Sequence, residues 1–420
     1  MNILLLFILV ILAVGFLIDL ILDLFNLRRI SPELPLEMEG RYDAGRYAQS
    51  QVYLREKTRF GLVVGAISTG VIIIAFLTGL FTWIDHLAWS ISPHPVVASL
   101  IYFGLIGLAA DLLGTPFTAY ATFVIEQKYG FNTTTLRTFV LDKLKSWLLA
   151  LLIGAPVLAL ITWLYTLLGG WFWLAAWVTV TVFSLLMTFF YSSLIVPLFN
   201  KQTPLEEGSL REAIRRLSKE AGFVADKVFV IDGSRRSNKS NAYFTGFGKR
   251  RRIVLYDTLI RDLDQEGVVA VLAHEIGHYR RKHVIKGIVA STLQTGAILF
   301  LFSLLVDQPL LATALNLAEP NFHTGMLVFG VLFSPVSLLL GILFNHFSRK
   351  QEFEADAFAA GLGLGQSLGI ALITLAEKNL GNLTPHPAYV VVHYSHPPFL
   401  KRLERLNMLT EKYETIESGS

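Results

Sequence analysis

Histidine is scarce in this chain, ten in 420 residues, yet two stand four apart in Val271-Leu272-Ala273-His274-Glu275-Ile276-Gly277-His278. If the stretch is helical, His274 and His278 share a face and can direct ring nitrogens at one metal ion. Glu275 lies one step round the cylinder, where it can hold a water in the ion's open position. Two histidine ligands beside a glutamate base form the zinc metallopeptidase arrangement. The alternative is a chance match on a polar turn, so the remaining chain must supply a third ligand and a reason for convergence.

A second polar stretch meets the first need. Zinc held by two histidines usually takes a third, often carboxylate, ligand and leaves the fourth position to water. In Ser348-Arg349-Lys350-Gln351-Glu352-Phe353-Glu354-Ala355-Asp356-Ala357-Phe358, a helical pattern, Glu352 is the candidate ligand. Asp356, one turn on, can accept the second ring N–H of a ligand histidine and fix its tautomer. Glu354 points away and reads as a solvated charge. His283, five residues after His278, is off the ligand face and reads as a helix-end cation. Acidic pairs on helices are commonly surface features; topology is what argues otherwise here.

Hydrophobic residues make up 53% of the chain and charged ones 16%, too apolar for a soluble globular protein. The absence of cysteine excludes disulfides, thiolate zinc ligands and a cysteine nucleophile. Seven apolar stretches, near 3–27, 61–84, 97–125, 147–168, 171–197, 286–306 and 325–347, each reach the roughly 20 residues a spanning helix needs. The first has no basic leader and no small-residue cleavage site, so it reads as an uncleaved anchor. All 36 Lys and Arg fall within 28–59, 128–145, 201–286 and 349–412, and the alternate connections have none. That asymmetry places the N-terminus outside and the C-terminus in the cytosol. It also accounts for the net charge of +4 without a nucleic-acid partner, and none is expected.

The predicted fold is therefore an α-helical polytopic membrane protein, seven spans with a cytosolic, mostly helical domain containing a small sheet. Four parts are expected: 1–199 with five spans, 200–285 with the histidine motif, 286–347 with two spans, and 348–420 completing the metal site. Within the cytosolic part, Leu205 to Ala221 has helical periodicity and Val228 to Ile231 suits a strand. Asn241 to Phe247 and Ile253 to Tyr256 read as a hairpin closed by a Gly-Lys-Arg turn. Such a sheet offers an edge for an extended peptide, or it merely caps the domain. His278 lies eight residues before the sixth span, roughly 12 Å along a helix, and Glu352 lies five after the seventh span ends. Both motifs thus return to the same face at similar depth.

The chain resembles the CAAX prenyl protease 1 family of membrane zinc metallopeptidases. The resemblance rests on both motifs above and on several further stretches. These are Pro116-Phe117 to Asn132, Pro197-Leu198-Phe199-Asn200-Lys201, Ser240-Asn241-Ala242-Tyr243-Phe244 and His393-Tyr394-Ser395-His396-Pro397-Pro398. It implies one zinc ion on His274, His278 and Glu352, water activated by Glu275, and spans enclosing a water-filled intramembrane chamber. It also implies removal of a C-terminal tripeptide after a prenylated cysteine, sometimes with a second, upstream cut.

The remaining polar residues divide by role. Asn241 could hold a substrate carbonyl near the metal. His396, fixed by two following prolines, could donate to the oxyanion of a tetrahedral intermediate, and His393 could take that part instead. Asp111, inside the third span, is costly in lipid and calls for a cavity or a partner. Arg250-Arg251-Arg252 could attract anionic groups or simply form an exposed turn. The expected reaction is peptide hydrolysis, with Glu275 passing a proton from water to the leaving amine. A monomer should suffice. The compact loop before the motif and the tail Glu417-Ser418-Gly419-Ser420, which is no retrieval signal, suggest a bacterial inner-membrane homologue. General clearance of membrane polypeptides, independent of prenylation, is then the alternative role. A metal-bearing transporter or scaffold is disfavoured by the intact Glu275.

Overall fold

The structure, a computed structural model, describes residues 2–222, 227–245 and 252–418. The helices in chain order are α1 (Ile3–Arg28), α2 (Ala44–Leu77), α3 (Leu80–Ile91), α4 (Pro95–Tyr120), α5 (Leu136–Leu149), α6 (Ala155–Leu168), α7 (Phe172–Phe190) and α8 (Val196–Phe199). They continue with α9 (Ser209–Glu220), α10 (Asp257–Asp262), α11 (Gln265–Arg280), α12 (His283–Leu305), α13 (Pro309–Thr313), α14 (Phe322–Ala360), α15 (Gly365–Lys378), α16 (Pro387–His393) and α17 (Phe399–Ser418). Side-chain caps start the principal ones: Asn2 accepts from the Leu5 N–H, Asp43 from Arg46, Asp264 from Gly267 and Asn321 from Thr324.

Six helical stretches among the described residues are long and apolar enough to cross a membrane. The protein is thus a multi-pass helical membrane protein. One stretch, Leu136–Phe199, is 64 residues long and reverses at Gly169, whose φ is +52°. Its arms α6 and α7 pack side by side, and they occupy the two spans expected at 147–168 and 171–197. The span expected at 61–84 is corrected: α2 stops at Leu77, Gly79 turns the chain at φ +70°, and α3 begins. The continuous helix expected from the histidine motif into the sixth span is also broken, at Lys282 with φ +59°.

Burial shows how these helices are arranged. One core joins α1, α2, α3, α7, α12, α13 and α14 at one end, around Ile8, Phe76, Phe172, Phe302 and Phe329. Asp85, Ser99 and His323 add a buried polar clasp there: the His323 ring lies 2.7 Å from Asp85 Oδ1 and 3.0 Å from Ser99 Oγ. Between the ends, no residue of 9–21, 54–74, 103–124 or 330–351 is buried. In α14 that gap is roughly 33 Å of helix. In α1, α2, α4 and α14 the middles thus bury no side chain, whereas α7 and α12 also pack at mid-span, Trp177 against Gly296.

The second core lies at the basic end. A four-stranded sheet, β1 (Gln202–Pro204), β2 (Val228–Ile231), β3 (Ala242–Thr245) and β4 (Arg252–Tyr256), has the order β1-β2-β4-β3. Strands β2 and β4 run parallel; β1 and β3 flank them antiparallel. The expected pairing of β3 with β4 is present, and β1 is an addition too short to read from its residues. The expected turn at Gly248-Lys249-Arg250, with Arg251 beside it, lies outside the described residues. Ile214 and Leu217 of α9, Leu255 of β4, Leu272 and Ile276 of α11, Ala359 of α14 and Leu368 of α15 share one core. This unit is therefore assembled from both the 200–285 and the 348–420 parts, which share one core.

Candidate metal centre

Helices α11 and α14 cross at Gly277. A β-carbon there would stand 3.0 Å from Ala355 Cα and 3.1 Å from Ala355 O, so only glycine allows the approach. The contact brings the face carrying His274 and His278 against the face carrying Glu352 and Asp356. His274 Nε2 lies 3.2 Å from His278 Nε2 and 3.5 Å from Glu352 Oε2, and His278 Nε2 lies 3.3 Å from Glu352 Oε1. Tetrahedral zinc with bonds of about 2.0–2.1 Å places its donors about 3.3 Å apart. Two imidazoles and a carboxylate converging at that spacing fit such an ion, and their ligand atoms form the cluster recognisable among the described residues.

The surroundings fix the rings. Asp356, fully buried, lies 2.8 Å from His274 Nδ1 and leaves Nε2 to face the ion site. Arg402 of α17 holds Asp356 in turn, donating from Nη2 at 2.6 Å and Nε at 2.9 Å. Burial works against a charge on His274, but Asp356 and Glu352 outweigh it, and the imidazole is pushed up to about 9. Burial pushes the Glu275 carboxyl above the usual carboxylate range; its charged neighbours are His274, His278, Glu352 and Arg402. Among the described residues its carboxylate has no hydrogen-bond partner, so it is free to take up a proton.

Two expectations are overturned. His283 is no exposed cation: it is buried, with Nδ1 3.0 Å from His278 Nδ1 and Nε2 3.0 Å from Glu354 Oε2. Glu354 is accordingly not a free surface charge. The break at Lys282 swings His283 back behind His278, and a continuous helix would not have done so. His278 thus has a histidine–carboxylate pair behind it where His274 has an aspartate–arginine pair.

The other candidates separate clearly. His396 is exposed, 3.4 Å from Glu352 Oε1. His393 faces elsewhere, 3.6 Å from Asp19 Oδ1 of α1 and stacked near Tyr389, so the structure does not bring it to the ligands. Asn241 opens β3, with its carbonyl accepting from the Tyr256 N–H, and lines a cavity of about 500 Å³. Asp111 has partners: Lys143 donates to it at 2.6 Å and the Trp147 indole at 3.0 Å. Arg402, His283 and Glu354 were missed as site residues. Arg402 sits on the C-terminal helix among other basic residues, and nothing in its spacing marks it.

Comparison with known proteins bears on the whole chain. A family model for the CAAX prenyl protease N-terminal region, five membrane helices, matches residues 23–201, and one for peptidase family M48 matches 204–410. The CAAX prenyl protease 1 of Saccharomyces cerevisiae is 34% identical, covering 90% of this chain and 90% of its own. The chain belongs to the CAAX prenyl protease 1 family. A homologue from Oryza sativa is 35% identical over 91% of this chain and 92% of its own. The crystal structure of S. mikatae Ste24p superposes with a TM-score of 0.92 at 32% identity, covering 97% of this chain and all of that one. This member is a multi-pass membrane metallopeptidase whose substrates are peptides or proteins.

Proposed function

We propose that the chain is a zinc endopeptidase that removes the C-terminal tripeptide of prenylated, CAAX-type substrates. The observation carrying this reading is the convergence of His274, His278 and Glu352 at tetrahedral donor spacing beside an uncommitted Glu275. Zinc held by those three residues would supply a Lewis acid for the scissile carbonyl and for water. Glu275 takes the proton of the attacking water and returns it to the leaving amine, and its raised affinity for protons suits that shuttle. Asp356, clamped by Arg402, keeps His274 in the tautomer that faces the ion. His396, beside Glu352, donates to the developing oxyanion, and Asn241 holds the substrate backbone at the open edge of β3.

The runs of unburied residues along the middles of α1, α2, α4 and α14 support a water-filled chamber on whose floor this centre sits. The basic connections support a cytosolic catalytic unit with the N-terminus outside. The substrate class is supported by the relatives' names, and prenylation is its finer part. Mass spectrometry of products from a farnesylated CAAX peptide beside its unprenylated twin tests it. Cutting only the farnesylated peptide after its cysteine supports the reading; equal cutting of both moves it to general clearance. The Glu275→Gln variant should keep its metal and fold and lose about 10²–10⁴ in kcat; normal turnover would remove Glu275 from the mechanism.

A further inference from the structure

A C-terminal cut requires the enzyme to sense where its substrate ends, and none of the residues above does so. The cavity at the start of β3 holds the needed chemistry. Its walls carry two cations, Lys57 and Lys239, with Asn241, Asn379, Asn382 and Tyr394. The segment before β3 is pinned from three sides. Lys239 donates to Glu126 Oε2 at 2.8 Å and to the Tyr53 hydroxyl at 2.9 Å. Ser240 donates its N–H to Asn379 Oδ1 and its hydroxyl to Asp262. Thr258 donates to the Lys239 carbonyl. Leu380 forms part of the cavity wall with its side chain buried although its φ is +51°, a conformation that a non-glycine residue holds only when packing enforces it.

Lys239 is therefore neutralised by Glu126, whereas Lys57 makes no ion pair among the described residues and has the Tyr53 ring 5.6 Å away. The charged groups interacting with Lys57 are Lys239 and Glu126, which leaves one net positive charge facing the cavity. Position agrees with charge. Tyr394 in the wall is two residues from His396, at most about 7 Å of chain, and His396 touches the ligand set. Three extended residues span about 10 Å, a reach of the same order as that separation.

Resting on the proposed hydrolytic reading, we infer that this cavity binds the α-carboxylate of the substrate's C-terminus, with Lys57 as its counter-charge. The peptide then runs antiparallel to β3, its last residues leaving the strand past Asn241. Lys57 is a specificity residue: it measures the distance from chain end to scissile bond.

The test uses binding, so it does not depend on turnover. A fluorescent CAAX peptide with a free carboxylate and its C-terminal amide are titrated against full-length Glu275→Gln protein, with Lys57 intact or replaced by Gln or Arg. With Lys57 intact the amide should bind at least tenfold more weakly than the acid. Lys57→Gln should abolish that difference, and Lys57→Arg should retain it. Equal binding of acid and amide with Lys57 intact would overturn the inference. So would a Lys57→Gln variant that weakens both peptides by the same factor. Chelator-sensitive cleavage of the acid peptide by protein with Glu275 intact reports separately on the hydrolytic reading.

Discussion

At the scale of single residues, the centre depends on groups that never touch substrate. Asp356 is fully buried between His274 and Arg402, so its carboxylate is spent on orientation. Replacing it with Asn should cost 10–100-fold in metal affinity while the three ligands remain; zinc competition titration reads this, and an unchanged affinity would deny it the role. The pH dependence follows from His274. With the ion removed, the imidazole keeps a proton up to about pH 9, and a metal must displace that proton. Metal uptake by stripped protein should thus weaken as pH falls below about 9, by up to tenfold per unit for one proton. Isothermal titration at two pH values checks the slope. Residues of this kind differ in how visible they are in the sequence. His274, Glu275 and His278 are marked by helical spacing and Glu352 by its distance from a span. Arg402 and His283 are marked by nothing, because they reach the site through a distant helix and a chain break.

At the scale of elements, the site is the crossing of α11 and α14. Its tolerance is set at Gly277, where a methyl group would meet backbone rather than a yielding side chain. Gly277→Ala should force the helices apart and cost about 1–3 kcal/mol of stability. It should also lower metal occupancy; thermal melting with elemental analysis measures both. Periodicity was sufficient to place α9, β2, β4 and the start of α11 at Gln265 within a few residues, since local pattern dictates them. It failed at the ends of α2 and α11. There Gly79 and Lys282 adopt positive φ, and a lysine in that conformation is chosen by tertiary packing, not by its own preference.

At the scale of the whole molecule, the distribution of Lys and Arg makes an experimental claim about sidedness. The chain contains no cysteine, so single cysteines can report without background. One placed at Gly40, in the basic connection after α1, should be shielded from an impermeant maleimide in intact cells. One at Glu319, beyond α13, should react. The reverse pattern would invert the topology. The two motifs and the spans between them point to one metal site shared by distant parts of the chain, but the common hydrophobic core cannot be read from composition and shows only in the burial of Ile276 and Leu368 together.

Helix α14 runs unbroken for 39 residues from Phe322, in the far core, to Ala360 beyond Glu352 and Asp356. Its length is about 58 Å, and Pro335 within it removes one backbone hydrogen bond between the far core and the ligand carboxylate. The same helix therefore buries Phe322 in the outer core and Glu352 in the catalytic one, and any reseating of its outer end is felt through that proline by the ligand carboxylate.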